Sequence, residues 1–72
     1  MEEKIHIGSK IKEKLEASEH TVAWLARKLN CDRTNIYRIY DRESVDTNLL
    51  LKISEALRFD FFVYYRPEIK CD

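Results

Sequence analysis

The chain has 72 residues, no formal net charge at pH 7 and an apolar fraction of 44%. This length supports one domain with one small core, and the apolar fraction is too high for an intrinsically disordered chain. One Gly and one Pro in the whole sequence exclude turn-rich all-β folds, and the many Leu, Ile, Ala, Lys, Arg and Glu residues favour helices.

The charged side chains are unevenly distributed along the chain. Residues 1–26 carry four basic side chains against five acidic ones, and residues 43–72 carry four against six. Only residues 27–42 are net positive, with five basic side chains against two aspartates. Because local charge decides where a polyanion docks, this segment is the predicted contact region for a nucleic acid.

Several protein classes are excluded by what the sequence lacks. Cys31 and Cys71 cannot form a disulfide framework, and together with His6 and His20 they lack the spacing of metal ligands. No apolar run approaches the length of a membrane span, and no signal-peptide pattern is present. There is no glycine-rich phosphate loop and no suggestive pair of carboxylates. We therefore expect a cytoplasmic protein that is not an enzyme and uses no metal, cofactor or small-molecule ligand.

The first predicted helix follows a polar lead at residues 1–6. Ile7, Ile11 and Leu15 recur at i, i+4 and i+8, with Lys and Glu residues on the other sides. This spacing indicates an amphipathic helix that ends near Ser18.

Residues 21–41 predict two short helices joined by a tight turn. Thr21 is a suitable N-cap for the first of them. The apolar residues of that helix recur at i, i+3, i+4 and i+7, and residues 30–32 are too few to be a linker. The residues predicted to face the core are Val22, Leu25, Ala26 and Leu29 in the first helix and Ile36, Ile39 and Tyr40 in the second.

Three aspartates share a local pattern that marks helix starts. Each follows an apolar residue and has another apolar residue four positions later, which are the N′ and N4 positions of a hydrophobic staple around an N-cap. A carboxylate at the N-cap accepts hydrogen bonds from free N–H groups and faces the positive end of the helix dipole. The aspartates are Asp32, Asp46 and Asp60, and they predict helices that begin near Arg33, Thr47 and Phe61.

The fourth and fifth helices complete the predicted fold. The fourth runs from residue 47 to residue 58 with Leu50, Ile53 and Leu57 facing inward. The stretch FDFFVYY that follows has the aromatic and β-branched content of a strand, but the Asp60 cap favours a short fifth helix. Pro67 is expected to end that helix, which leaves residues 67–72 as a loose tail.

This order of elements resembles the lambda-repressor-like, or XRE-family, DNA-binding domain of small bacterial and phage regulators. The segments that carry the resemblance are Leu25-Ala26, Leu29-Asn30-Cys31-Asp32, Ile36-Tyr37-Arg38-Ile39 and LLKISEAL at residues 50–57. The resemblance implies an all-α fold of five short helices around one core. It also implies a helix-turn-helix at helices two and three, within a DNA-binding domain at residues 7–66.

The sequence departs from the family pattern at several positions. Asn30 stands where the family usually has Gly, and Asn is the next-best residue for a left-handed conformation. Val22 replaces a Gln that touches a phosphate in the family, so that side-chain contact is absent. Leu15 and Tyr40 together replace an Arg–Glu pair, so no charge is left buried and we expect an apolar contact instead.

The outward face of the second helix-turn-helix helix carries the predicted DNA contacts. With Ile36 and Ile39 buried, a rotation of about 100° per residue defines the side chains opposite the core. In this motif the N-terminal part of the recognition helix, here residues 33–41, reaches base edges in the major groove. The predicted base-edge contacts are Arg33, Thr34, Tyr37 and Arg38, and the predicted phosphate contacts are Thr21, Asn35, Arg42 and Asn48.

The predicted function is sequence-specific binding of double-stranded DNA by a transcription regulator. Such domains usually bind two half-sites, so we expect a homodimer, with its contact in the segment from Phe61 to Tyr65. The zero net charge and the missing Gln leave an alternative open. The same fold would then serve as a protein-interaction or antitoxin-like module with weak or no DNA binding, and its aromatic segment would face the partner.

Overall fold

The computed structural model describes residues 4–70 as four α-helices followed by two short 3-10 helices. The α-helices are α1 (Ile7–Ala17), α2 (Val22–Lys28), α3 (Arg33–Tyr40) and α4 (Thr47–Leu57), and the 3-10 helices span Phe61–Tyr64 and Arg66–Glu68. This part of the chain contains no strand and no helix that is long and apolar enough to cross a membrane. The predicted all-α fold is confirmed, and its predicted fifth helix is a 3-10 helix.

The core consists of one apolar stripe from each α-helix together with the first aromatic side chain after α4. Its buried members are Ile7, Ile11, Leu15, Leu25, Ala26, Ile36, Ile39, Leu50, Ile53, Leu57 and Phe61. Val22, Leu29 and Tyr40, which were also predicted to face inward, are half-buried and flank this cluster. No polar or charged residue is buried within residues 4–70, so hydrophobic burial accounts for the assembly of the helices.

Side-chain caps fix three of the predicted helix starts. The Thr21 hydroxyl accepts the Trp24 N–H at 3.0 Å, and the Asp46 carboxylate accepts the Leu49 N–H at 2.7 Å. Asp60 caps the first 3-10 helix in the same way.

Asp32 is the exception among the predicted caps. It occupies the N-cap position of α3, but its side chain makes no capping hydrogen bond. The exposed carboxylate instead borders a surface cleft that Arg27 and Arg33 also line. Neither arginine forms an ion pair with it, since the one ion pair within residues 4–70 joins Asp60 to Arg66. The Asp32 carboxylate is therefore left to solvent, and the sequence pattern that it shares with Asp46 and Asp60 does not reveal this difference.

We expect Asp46→Ala to lower the free energy of unfolding by about 1 kcal/mol, because the Leu49 N–H loses its acceptor. Asp32→Ala is the matched control: it also removes a carboxylate from an N-cap, but breaks no capping bond. Asp32→Ala should lower the free energy of unfolding by no more than about half as much, because it loses only the favourable interaction of the carboxylate with the helix dipole. Urea denaturation followed by circular dichroism measures both variants. Equal losses would contradict the assigned capping geometry.

The only glycine of the chain lies where the start of α1 meets the end of α3. The backbone N–H groups of Ile7 and Gly8 donate to the carbonyl oxygens of Glu43 and Arg42 at 3.1 and 3.0 Å. These bonds satisfy two donors that a helix N-terminus otherwise leaves unpaired. They require the two backbones to approach so closely that Gly8 has no space for a Cβ atom.

The segment before α1 contributes to the fold from Ile5 onwards. Ile5 is half-buried and packs against the core, and His6 is the N-cap of α1. The Nδ1 atom of His6 accepts the Ser9 backbone N–H at 3.2 Å. The first three residues of the predicted polar lead lie outside the described residues.

The C-terminal segment ends differently from the prediction. Pro67 was expected to end the fifth helix, but it lies inside the second 3-10 helix, Arg66–Glu68. The first 3-10 helix has already ended, and the fixed φ of proline suits the first turn of a new helix. An ion pair of 2.8 Å between Asp60, the N-cap of the first 3-10 helix, and Arg66, the first residue of the second, links the two 3-10 helices. The last two residues of the predicted loose tail lie outside the described residues.

Candidate nucleic-acid interface

The turn between α2 and α3 is closed by backbone hydrogen bonds around one left-handed residue. Asn30 has a φ of 57°, as expected from its place in the sequence pattern. Its N–H donates to the Arg27 carbonyl at 3.2 Å, and the Cys31 N–H donates to the Ala26 carbonyl at 2.9 Å. This is a Schellman-type ending, which satisfies the last carbonyls of α2 and redirects the chain into α3.

α3 buries one side and exposes the other. Ile36 and Ile39 lie in the core, which turns the rest of the helix surface to solvent. The side chains predicted to contact base edges are all exposed, and they are Arg33, Thr34, Tyr37 and Arg38. Tyr37 is 55% exposed, so most of its ring edge and its hydroxyl face solvent.

Two surface clefts divide the candidate residues on and around α3. The cleft on the α4 side has a volume of about 270 Å³, with an apolar floor and polar side chains from Asn35, Arg38 and Arg42. The cleft on the α2 side has a volume of about 280 Å³ and brings Arg33 next to Arg27 across the turn. The positive charge of residues 27–42 is therefore presented on both sides of the exposed face of α3.

A family model described as the Cro/C1-type HTH DNA-binding domain matches residues 10–61, well over half of the chain. The chain belongs to the Cro/C1-type helix-turn-helix DNA-binding domain family. The match extends from α1 to the start of the first 3-10 helix, and its helix-turn-helix is the α2–turn–α3 unit. This confirms the XRE-like resemblance. Comparisons with curated proteins and with solved structures found no match.

The remaining candidate residues of this Cro/C1-type domain flank α3. Thr21 and Asn48 are exposed at the starts of α2 and α4, and Arg42 is exposed just after α3. The Thr21 hydroxyl accepts a capping bond, but a hydroxyl keeps a donor that can still reach a phosphate oxygen. Arg27 was not among the predicted contacts. The positive charge of residues 27–42 was the only sequence signal for it, because its nearness to Arg33 depends on the path of the turn.

Tyr40 sits at the junction of α3 with α1. Its ring centroid lies 6.0 Å from that of Tyr37, with the two planes at 84°, and the Lys12 Nζ lies 5.9 Å from the Tyr40 centroid. Burial raises the pKa of Tyr40 above its ordinary value, and the charge of Glu16 and the neighbouring Tyr37 raise the pKa further. The phenol is therefore neutral at physiological pH. No sequence pattern pointed to a role for this residue beyond packing.

Proposed function

We propose that this Cro/C1-type domain binds double-stranded DNA sequence-specifically and regulates transcription, with residues 33–41 as the recognition helix in the major groove. The binding unit is residues 7–66, flanked by a lead at 1–6 and a tail at 67–72. The observation that carries the proposal is the exposed face of α3, on which hydrogen-bond donors and positive charge stand opposite a buried apolar side. A chromosomal target implies a cytoplasmic protein.

The proposed base-edge contacts have complementary chemistry. Arg33 and Arg38 each offer a bidentate fork that matches the O6 and N7 acceptors of guanine. The Thr34 hydroxyl can donate to or accept from a base edge, and the Tyr37 ring suits the methyl group of thymine. Tyr37 can alternatively donate its hydroxyl to a phosphate.

The proposed phosphate contacts fix the register of the domain on the duplex without reading its sequence. They are Thr21, Asn35, Arg42 and Asn48, and we add Arg27 because it lines the same cleft as Arg33. The cleft on the α4 side supports this assignment for Asn35 and Arg42, because it holds a guanidinium and an amide beside the recognition helix. Val22 stands in place of the usual Gln and cannot contact a phosphate through a polar side chain. The proposed phosphate contact at the start of α2 is therefore made by the hydroxyl and backbone of Thr21.

Selection from a pool of random duplexes tests the proposal. We expect enrichment of a motif made of two half-sites about one helical turn apart. Affinity for the selected site should then fall with salt, with a log–log slope of roughly −0.9 for each phosphate contacted. If no motif is enriched, the domain is not a sequence-specific DNA reader. Affinity that does not change with salt would exclude DNA binding through phosphate contacts.

A homodimer that forms through the segment from Phe61 to Tyr65 is part of the proposal. Phe61 is fully buried, so it cannot contribute to a contact between subunits. Phe62 and Tyr65 instead line an apolar groove of about 320 Å³, together with Val45 and Leu50. Val63, 41% exposed in the same segment, does not line this groove. A second copy seated on this surface would remove apolar area from water.

We expect Tyr65→Glu to reduce or abolish dimerisation, because it places a charge in the groove proposed as the apolar contact. Ile69→Glu is the matched control, since Ile69 is an exposed apolar residue that lies outside the segment. Sedimentation equilibrium with and without the selected duplex measures the mass of each variant. A wild-type mass that stays monomeric at all concentrations, with and without DNA, would exclude the dimer.

The same apolar groove favours one alternative, a protein-interaction or antitoxin-like module with weak or no DNA binding. The zero net charge of the chain is consistent with that role. Under this alternative Tyr65→Glu would disrupt binding to a protein partner, because Tyr65 lines the groove. The duplex selection would then enrich no motif for the wild-type chain. The selection experiment therefore separates the two functions directly.

A further inference from the structure

We propose that Tyr40 is a positioning residue that holds the ring of Tyr37 in place for contact with DNA. Tyr40 itself is half-buried and faces α1 and the core, so it acts through its neighbour. The inference rests on the proposed function, because it assigns a role to Tyr37 that only DNA binding reveals.

The geometry of the two rings supports this role. Tyr37 and Tyr40 are three residues apart on α3, so their side chains are neighbours on the helix surface. A centroid separation of 6.0 Å with planes at 84° is a favourable edge-to-face arrangement of aromatic rings.

Tyr40 is itself anchored by more than α3. Its ring packs against the core cluster, and the Lys12 ammonium of α1 lies 5.9 Å from its centroid, within the range of a cation–π contact. The charge of Glu16, also on α1, is close enough to contribute to the raised pKa of the phenol. Tyr40 therefore links the exposed ring of Tyr37 to a second helix, which an aliphatic residue at the same position would not do.

An exposed side chain that is already ordered loses less conformational entropy when it binds. Tyrosine has only two χ angles, so this difference lies at the lower end of the usual range and corresponds to about a two- to fivefold gain in affinity. The gain applies only where the Tyr37 ring meets a preferred base, so it increases specific binding and leaves non-specific binding unchanged. Tyr40 would thereby contribute to specificity although it does not touch the duplex.

A double-mutant cycle on the duplex-selected site tests the inference. We expect Tyr40→Leu to weaken binding about fivefold in the wild-type background and to have no further effect in the Tyr37→Ala background. Binding to a random duplex should not change. Tyr40→Phe keeps the ring and should bind like the wild type. Thermal melting confirms that each variant is folded, and Tyr40→Met replaces Tyr40→Leu if the latter melts below the assay temperature.

NMR of the free protein adds a readout that does not depend on DNA. Side-chain couplings should show one χ1 rotamer for Tyr37 in the wild type and in Tyr40→Phe, and averaged rotamers in Tyr40→Leu. Averaged couplings in the wild type overturn the inference. Equal losses from Tyr40→Leu in both Tyr37 backgrounds overturn it as well, and leave the proposed function standing. A duplex selection without any enriched motif overturns both.

Discussion

Gly8→Ala should destabilise the domain by about 3 kcal/mol, even though alanine is ordinarily a better helix former than glycine. A Cβ atom at this position would lie 2.5 Å from the Tyr40 carbonyl oxygen and closer still to that of Ile39. These are backbone atoms at the end of α3, so they cannot rotate away as a flexible side chain can. The helices would have to separate, which breaks the bonds that Ile7 and Gly8 donate to the loop after α3.

The loss is large for a domain of this size. A change of about 3 kcal/mol corresponds to a drop of roughly 12–24 °C in melting temperature. Glu13→Ala is the control, because Glu13 is exposed in the middle of α1 and its replacement should change the stability by no more than about 0.5 kcal/mol. Thermal melting by circular dichroism compares the two variants. If Gly8→Ala melts at or above the wild-type temperature, the contact between α1 and α3 is looser than the structure shows.

Features that depend on neighbours in the sequence were predictable. The caps at Thr21, Asp46 and Asp60 follow from a polar residue placed before an apolar pattern. The left-handed turn at Asn30 follows from the short break between two amphipathic stripes. In each case the physical cause lies within a few residues of its effect.

Features that depend on distant segments were not predictable from the sequence. Gly8 is one, because its need for close approach is set by residues more than thirty positions away. Glu19 and Arg58 are others: both have positive φ, at 68° and 53°, although neither residue type prefers that region. They end α1 and α4 where the core requires the chain to turn. Local propensity is overridden at these positions by packing.

The candidate site shows the same division. The helical period predicted which side chains of α3 would be exposed once its apolar side was assigned. These include Arg33, Thr34 and Arg38. The sequence did not predict that Arg38 and Arg33 line different clefts, because each cleft is completed by a different helix. The three-residue spacing of Tyr37 and Tyr40 makes them neighbours on α3. The edge-to-face geometry of their rings could not be predicted, because it depends on rotamers that packing selects.

Arg38→Ala should weaken binding to the selected site by about 5- to 150-fold, because a bidentate arginine–guanine contact contributes about 1–3 kcal/mol of discrimination. Arg38 is exposed, and its side chain makes no hydrogen bond or ion pair within residues 4–70. The melting temperature should therefore stay within error of the wild type. Lys52→Ala, which removes the same charge from the exposed side of α4, controls for the change in net charge. Electrophoretic mobility shifts on matched and single-substituted duplexes measure the effect.

Arg42→Ala distinguishes the two kinds of contact within a single cleft. Arg38 and Arg42 line the same surface depression, so their loss changes the local charge alike. Removing a base contact should weaken binding and relax the base preference at one position of the motif. Removing a phosphate contact should weaken binding to every duplex by a similar factor and reduce the salt slope by about 1. We expect the first result for Arg38 and the second for Arg42. If both variants give the second result, Arg38 is a phosphate contact, and base reading is confined to the start of α3 and to Tyr37.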